Sequence, residues 1–228
     1  MALIAVEGDR AWAAALAAVV VAASVAAEAR GEAVDGDLEI IHAVLQGEIN
    51  RYGELVSKYQ LSAWKLAYGF VGNFEDARDI SQNGFVKGYR NLRGFRGSAR
   101  FSTWLYRIIA NECKDFLRKK NREPERVELR SENDGEEPSL FDAPDPSPDP
   151  RETAFKKELV MKMGRAILRL SLRQRTAFIL HYLHGLPQEE VAQVMGCRTG
   201  TVKAHLFRAS ETLRAIIEPG LRRGEVHA

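Results

Sequence analysis

The 228-residue chain has little cysteine: Cys113, inside a predicted helix, and Cys197 are the only two, too few for a disulfide framework and consistent with a reducing cytoplasm. Strand alternation is missing throughout, and nearly every apolar pattern has helical period, which predicts an all-α fold. Net charge is scarce as well. At +2 it gives no sign of a nucleic-acid partner. Phosphate-cradling glycine loops, nucleophile–base pairs and metal clusters are lacking, so the chain is not read as an enzyme and no cofactor is expected. His181 and His184 stand three apart with Cys197 beyond them, but a metal would need more ligands than lie nearby, so they are read as structural histidines.

A membrane-spanning run is also lacking. Ala11 to Ala27 carries no charge, yet it is short and Ala-rich against the roughly 20 strongly apolar residues a span wants. Glu7 and Asp9 offset Arg10, unlike the basic start of a signal peptide. Residues 1–36 are therefore read as a disordered or loosely helical extension, or as sequence translated upstream of the true start. A weak membrane-associating helix is the other alternative, and stable insertion is not expected.

The near-neutral total hides an uneven distribution. From Phe85 to Arg122 eleven Lys/Arg face only Glu112 and Asp115, a net of +9. From Glu123 to Glu152 eleven Asp/Glu face three arginines, a net of −8, and the same stretch holds six of the eight prolines. Such a segment cannot bury a core, so 123–152 is read as an extended, flexible acidic linker.

On either side lie helical patterns. Asp37 to Gln46 reads as a short helix with Asp37 as its cap, and Ile49 to Val71 as a longer one. Asn73 caps a third, running to about Leu92 with Glu75 and Asp76 in its first turn. Residues 93–100 carry two glycines and read as a loop. Phe101 to Asn121 resumes a helix, with Trp104, Ile108 and Cys113 expected inward. Beyond the linker, Glu152 to Leu170 reads as helix, and Ser171 with Gln174 makes a capping box for a helix to about His184. The expected layout is a helical domain over 37–122, the linker, a second helical domain over 153–218, and a frayed tail over 219–228.

Three features carry chemistry. Leu186 to Ala209 reads as a helix-turn-helix: Val191, Ala192 and Met195 line one face, Gly196 supplies a left-handed turn, and Val202, Leu206, Ala209 and Leu213 bury the second helix. Arg198, Thr199, Thr201, Lys203, His205 and Arg208 remain outward, the hydrogen-bonding and cationic groups that a recognition helix presents to the major groove. Second, Tyr89, Phe95, Phe101, Trp104 and Tyr106 interleave with Arg90, Arg93, Arg96, Arg100 and Arg107, the mixture that grips single-stranded nucleic acid. Core packing is the alternative for some of these aromatics, Trp104 especially, but accounts less well for the loop residues Phe95, Arg96 and Ser98. Third, Glu75, Asp76, Asp79 and Gln82 give one helix an acidic face, either solvated surface or a docking strip for a basic partner.

These residues carry a resemblance. Glu75-Asp-Ala-Arg-Asp-Ile-Ser-Gln82, the Phe95 loop, Phe101-Ser-Thr-Trp-Leu-Tyr-Arg-Ile108, Asn111 and Asp115 resemble the second domain of bacterial RNA polymerase sigma factors. Leu186 to Ala209 resembles the fourth, and nothing resembles a third, the pattern of the extracytoplasmic-function class of the sigma-70 family. The resemblance implies an initiation factor that binds core RNA polymerase at the β′ clamp helices and β flap, reads −10 and −35 promoter elements, and assists melting. Glu75, Asp76, Asp79 and Gln82 would dock polymerase. Phe95, Arg96, Ser98, Arg100 and Phe101 would capture a flipped base of the −10 element, with Arg118, Lys119, Lys120 and Arg122 on nearby backbone. Arg198, Thr199, Thr201, Lys203, His205 and Arg208 would read the −35 element. The resemblance also implies a cytoplasmic protein with an anti-sigma factor as partner, sometimes held at the membrane by it, and no small-molecule substrate. The chain departs from the family at Asn83-Gly84, where a mid-helix glycine predicts a softer docking helix, and in its extension. A stand-alone helix-turn-helix regulator would need neither the acidic face nor the aromatic–basic loop. A membrane-associated signalling protein would rest on Ala11 to Ala27 alone.

Overall fold

The computed structural model describes residues 33–122 and 161–224. The expectations for most of the N-terminal extension, for the acidic linker and for 225–228 lie outside the described residues. Within them all regular structure is helical, as the apolar period predicts.

The first half packs four helices: α1 (Ala33–Leu45), α2 (Tyr52–Val71), α3 (Phe74–Arg90) and α4 (Phe101–Arg122). Leu55, Leu66 and Phe70 on α2 meet Ile80 and Phe85 on α3 and Leu105 and Ile109 on α4, all buried. Each large apolar side chain so buried contributes about 1.5–3 kcal/mol. Asn73 caps α3 as expected, its side chain accepting from the Asp76 N–H at 2.9 Å.

Three local expectations are corrected. Helix α1 begins at Ala33, so Asp37 is not its cap; it lies inside the helix, buried, and accepts from Lys58 Nζ at 2.6 Å and Tyr59 Oη at 2.5 Å. A buried carboxylate needs such partners, and the pairing fastens α1 to α2. Helix α3 stops at Arg90, and Leu92 opens a 3-10 turn (Leu92–Gly94) that lets its side chain reach the core. In α4 the inward stripe is Phe101, Leu105, Ile109 and Cys113, with Trp104 and Ile108 only half-buried. Cys113 is inward as expected, so the correction concerns Trp104 and Ile108, which lie at the edge of the buried stripe.

The second half opens with α5, a helical stretch over 161–168, followed by α6 (Leu172–Phe178), which continues through a π-helical turn (Ile179–Leu183). The Ser171–Gln174 capping box is present at its start. Then come α7 (Gln188–Met195) and α8 (Thr199–Gly224). Helix α8 continues through Pro219 where a frayed tail was expected. An established helix gains a hydrogen bond for each added residue, so one missing donor does not have to end it.

The two halves share one buried cluster. A Cβ placed on Gly69 of α2 would meet Ile179 Cδ1 at 3.0 Å. The rings of Tyr106 on α4 and His184 lie 5.1 Å apart, both side chains buried.

Candidate nucleic-acid interface

The helix-turn-helix is built as its sequence predicts. Val191, Ala192 and Val194 are buried on α7, with Met195 half-buried, and Val202, Leu206, Ala209 and Leu213 are buried along α8. Gly196 sits at φ 63°, ψ 41°, the left-handed conformation that glycine takes without cost. The N–H of Cys197 then returns to the Ala192 carbonyl at 3.1 Å, closing the end of α7. Arg198, Lys203 and Arg208 are exposed, while Thr199, Thr201 and His205 are partly covered. His205 has its pKa lowered by burial first, then by the charges of Arg173 and Arg208, so its neutral form is favoured.

The aromatic–basic loop divides differently from the sequence expectation. Arg96, Ser98 and Arg100 are exposed. Phe101, expected to capture a base, is a core residue only 2% exposed. It opens α4 on the face that packs against α2, with its ring 5.6 Å from Tyr59. Phe95 is half-buried, edge-on to Phe101 at 5.8 Å and to Trp104 at 5.4 Å. Arg118, Lys119, Lys120 and Arg122 are exposed on the last turns of α4.

On α3, Glu75, Asp79 and Gln82 are exposed, and Glu75 pairs with Arg78 at 3.7 Å. Asp76 is partly buried and pairs with Lys120 at 3.2 Å, so two residues expected on different surfaces touch one another. Gly84 is buried against Ile109, whose Cγ1 would lie 2.6 Å from an added Cβ. The glycine that suggested a softer helix is where α3 has no room for a side chain against Ile109 of α4.

Sequence reasoning missed the cleft beside the loop. A cavity of about 370 Å³ is lined by Lys58, Tyr59, Phe95, Ser98 and Arg100 from the first half and by His184, Pro187 and Glu190 from the second. Glu190, on its wall, accepts from the buried Thr103 Oγ1 at 2.5 Å. Lys114, partly buried on α4, has its pKa lowered by burial and then by the charges of Arg118 and Arg173, which puts cations of both halves near one another. No local motif announces any of these contacts. His181 and His184 are structural, His181 Nδ1 lying 2.8 Å from the Leu186 carbonyl oxygen and His184 against Tyr106.

Comparison with known proteins agrees with this geometry. The family described as Sigma-70 region 2 matches residues 55–123, and Sigma-70, region 4 matches 161–213. The chain is 33% identical over 189 residues to the RNA polymerase sigma-H factor of Pseudomonas aeruginosa, covering 82% of this chain and 96% of that protein. It is 33% identical over 183 residues to the ECF RNA polymerase sigma-E factor of Haemophilus influenzae, covering 80% and 96%. In fold it is similar to the sigma factor RpoE from Bartonella quintana, solved in complex with the anti-sigma factor NepR, at a TM-score of 0.55 and 23% identity over 72% of this chain and 97% of that one. No helix among the described residues is long and apolar enough to cross a membrane. The chain belongs to the sigma-70 family of RNA polymerase sigma factors, in its extracytoplasmic-function class, and is a transcription initiation factor that binds core polymerase and directs it to promoters.

Proposed function

We propose that this factor divides its work among three surfaces. Asp79 and Gln82, with Glu75 beside them, meet the polymerase β′ clamp helices. Asp76, paired with Lys120, serves that surface by holding the end of α4 against α3. Arg198, Thr199, Thr201, Lys203, His205 and Arg208 read the −35 element from the start of α8, where side chains reach base edges.

Phe95 takes the unpaired base of the −10 element. The observation that carries this is its setting: an aromatic ring half-buried against Phe101 and Trp104, beside the exposed Arg96, Ser98 and Arg100. Stacking on such a ring contributes ~1–3 kcal/mol per base. Phe101 acts beneath it, fixing the ring that stacks. Arg118, Lys119, Lys120 and Arg122 hold nearby phosphates, a salt-dependent contribution.

The factor supplies binding energy and leaves nucleotide chemistry to polymerase. It works in the cytoplasm and is restrained there by an anti-sigma factor, a reading supported by the likeness to a sigma factor solved with one. Transcription in vitro with core polymerase tests the assignment. Phe95→Ala should slow strand opening more than closed-complex formation, whereas equal effects on both would refute base capture. Arg198→Ala should lower occupancy of the −35 element while sparing core binding; a normal −35 footprint would refute that role.

A further inference from the structure

Helix α1 carries none of the residues assigned above to polymerase or DNA, yet it reaches the Phe95 loop by two routes. One is polar and then aromatic. Asp37, 4% exposed, accepts from Tyr59 Oη at 2.5 Å and from Lys58 Nζ at 2.6 Å. Lys58 Nζ also lies 5.4 Å from the centre of the Tyr59 ring, so the ring is restrained at its hydroxyl and over its face. Burial first, and then the Asp37 carboxylate, raise the Tyr59 pKa, which keeps the hydroxyl a donor. The Tyr59 ring packs 5.6 Å from that of Phe101, and Phe101 meets Phe95 edge-on at 5.8 Å. The other route is apolar. Leu38 Cδ2, from the next residue of α1, would lie 3.7 Å from a Cβ on Gly97, whose φ of 68° turns the loop.

We propose that Asp37 is a positioning residue for the −10 element: through Tyr59 and Phe101 it sets the Phe95 ring that receives the unpaired base. Helix α1 is then part of the promoter-opening apparatus as well as of the scaffold. The inference rests on the assignment of Phe95 made above. A binding side chain is precise only when the residues behind it lock its position. Ile41 and Val44 already bury the apolar face of α1 in the core. Apolar contact has no direction, whereas a hydrogen bond does. What the buried carboxylate adds is therefore orientation of the Tyr59 ring, and a buried carboxylate is costly unless its partners are in place.

The test uses holoenzyme assembled from the full chain and core polymerase. The probe is a labelled short single strand with the non-template −10 sequence of a promoter that this holoenzyme opens, and binding is read by fluorescence anisotropy. A matched series carries an abasic site at each position in turn; the captured base is the one whose removal leaves Phe95→Ala without further effect. Asp37→Asn weakens the carboxylate's hold, and Tyr59→Phe keeps the packed ring while removing only its hydroxyl. Arg51→Gln is the control, because Arg51 pairs with Glu39 of α1 at 3.5 Å and so loosens α1 away from the loop. Asp37→Asn and Tyr59→Phe should each weaken binding of the intact strand by about fivefold. Both should leave the strand lacking the captured base, and the Phe95→Ala holoenzyme, within about twofold of their reference. Arg51→Gln should stay within the same limit on every strand. Equal weakening on the abasic strand or in the Phe95→Ala background would mean general loosening and overturn the proposal, as would Tyr59→Phe binding like wild type while Phe95→Ala binds poorly. If Phe95→Ala itself binds the intact strand normally, the −10 assignment is wrong and the positioning role falls with it.

Discussion

Arg175 Nη1 donates to the carbonyl oxygen of Phe70 at 2.6 Å, joining the helix-turn-helix half to the C-terminal end of α2. Its Nη2 reaches the carbonyls of Leu170, at 3.2 Å, and of Leu168. One guanidinium thus serves acceptors from both halves, where unpaired helix carbonyls carry partial negative charge. Burial lowers its pKa, but an arginine remains charged.

Arg175→Ala should therefore cost about 2–4 kcal/mol, since it removes a charged donor from several partly buried carbonyls. Chemical denaturation checks the cost, and calorimetry should show the single transition separating into two. Arg175→Lys should recover only part, because an ammonium lacks the planar fork. An unchanged transition in Arg175→Ala would refute the role.

Gly84→Ala should destabilise the protein even though alanine is the better helix former. The added Cβ would meet Ile109 Cγ1 at 2.6 Å. Overpacking of this kind costs typically 1–3 kcal/mol, against about 1 kcal/mol gained in helix propensity. Urea midpoints should fall, and the cost of Gly84→Ala should largely vanish when it is measured in an Ile109→Ala background, which lacks the Cγ1 that the new Cβ meets. A higher midpoint for Gly84→Ala would mean that the close approach does not matter.

Replacing Asp79 and Gln82 with lysine should weaken binding to core polymerase by tenfold or more and leave the thermal midpoint within a degree or two, because both side chains are exposed. Asp76→Ala should differ by also lowering the midpoint, since it breaks the pair with Lys120. Unaltered affinity in the double variant would remove α3 from the docking surface.

Acidification should destabilise the fold through His205. Its folded pKa lies below the unfolded value of about 6.5, so the unfolded chain takes up the proton first. Stability from this residue is present above about pH 6.5 and is lost as pH falls below it. The stability difference between the wild type and His205→Gln, measured from pH 7.5 to 5, should shrink on the acid side. A difference independent of pH would contradict the shift.

Much of the architecture was legible because its signals are local. Asn73 bonds to Asp76, Ser171 to Gln174, and the N–H of Cys197 to Ala192, all within five positions. The same holds for the apolar stripe of the helix-turn-helix, whose members recur at three and four residues and so meet on one face whatever surrounds them.

The contacts that organise the candidate site are of another kind. Asp37 pairs with Lys58 across 21 positions, Asp76 with Lys120 across 44, and Thr103 with Glu190 across 87. Periodicity says that α4 has an apolar face, but not that Phe101 lies at its centre while Trp104 lies at its edge. By itself, then, the sequence determined the helices, their caps and the chemistry on the outer face of the helix-turn-helix. Only the tertiary structure decided which aromatic is core, which acid is tied and which carboxylate bridges the two halves, because those depend on how already formed helices rotate and pack against partners distant along the chain.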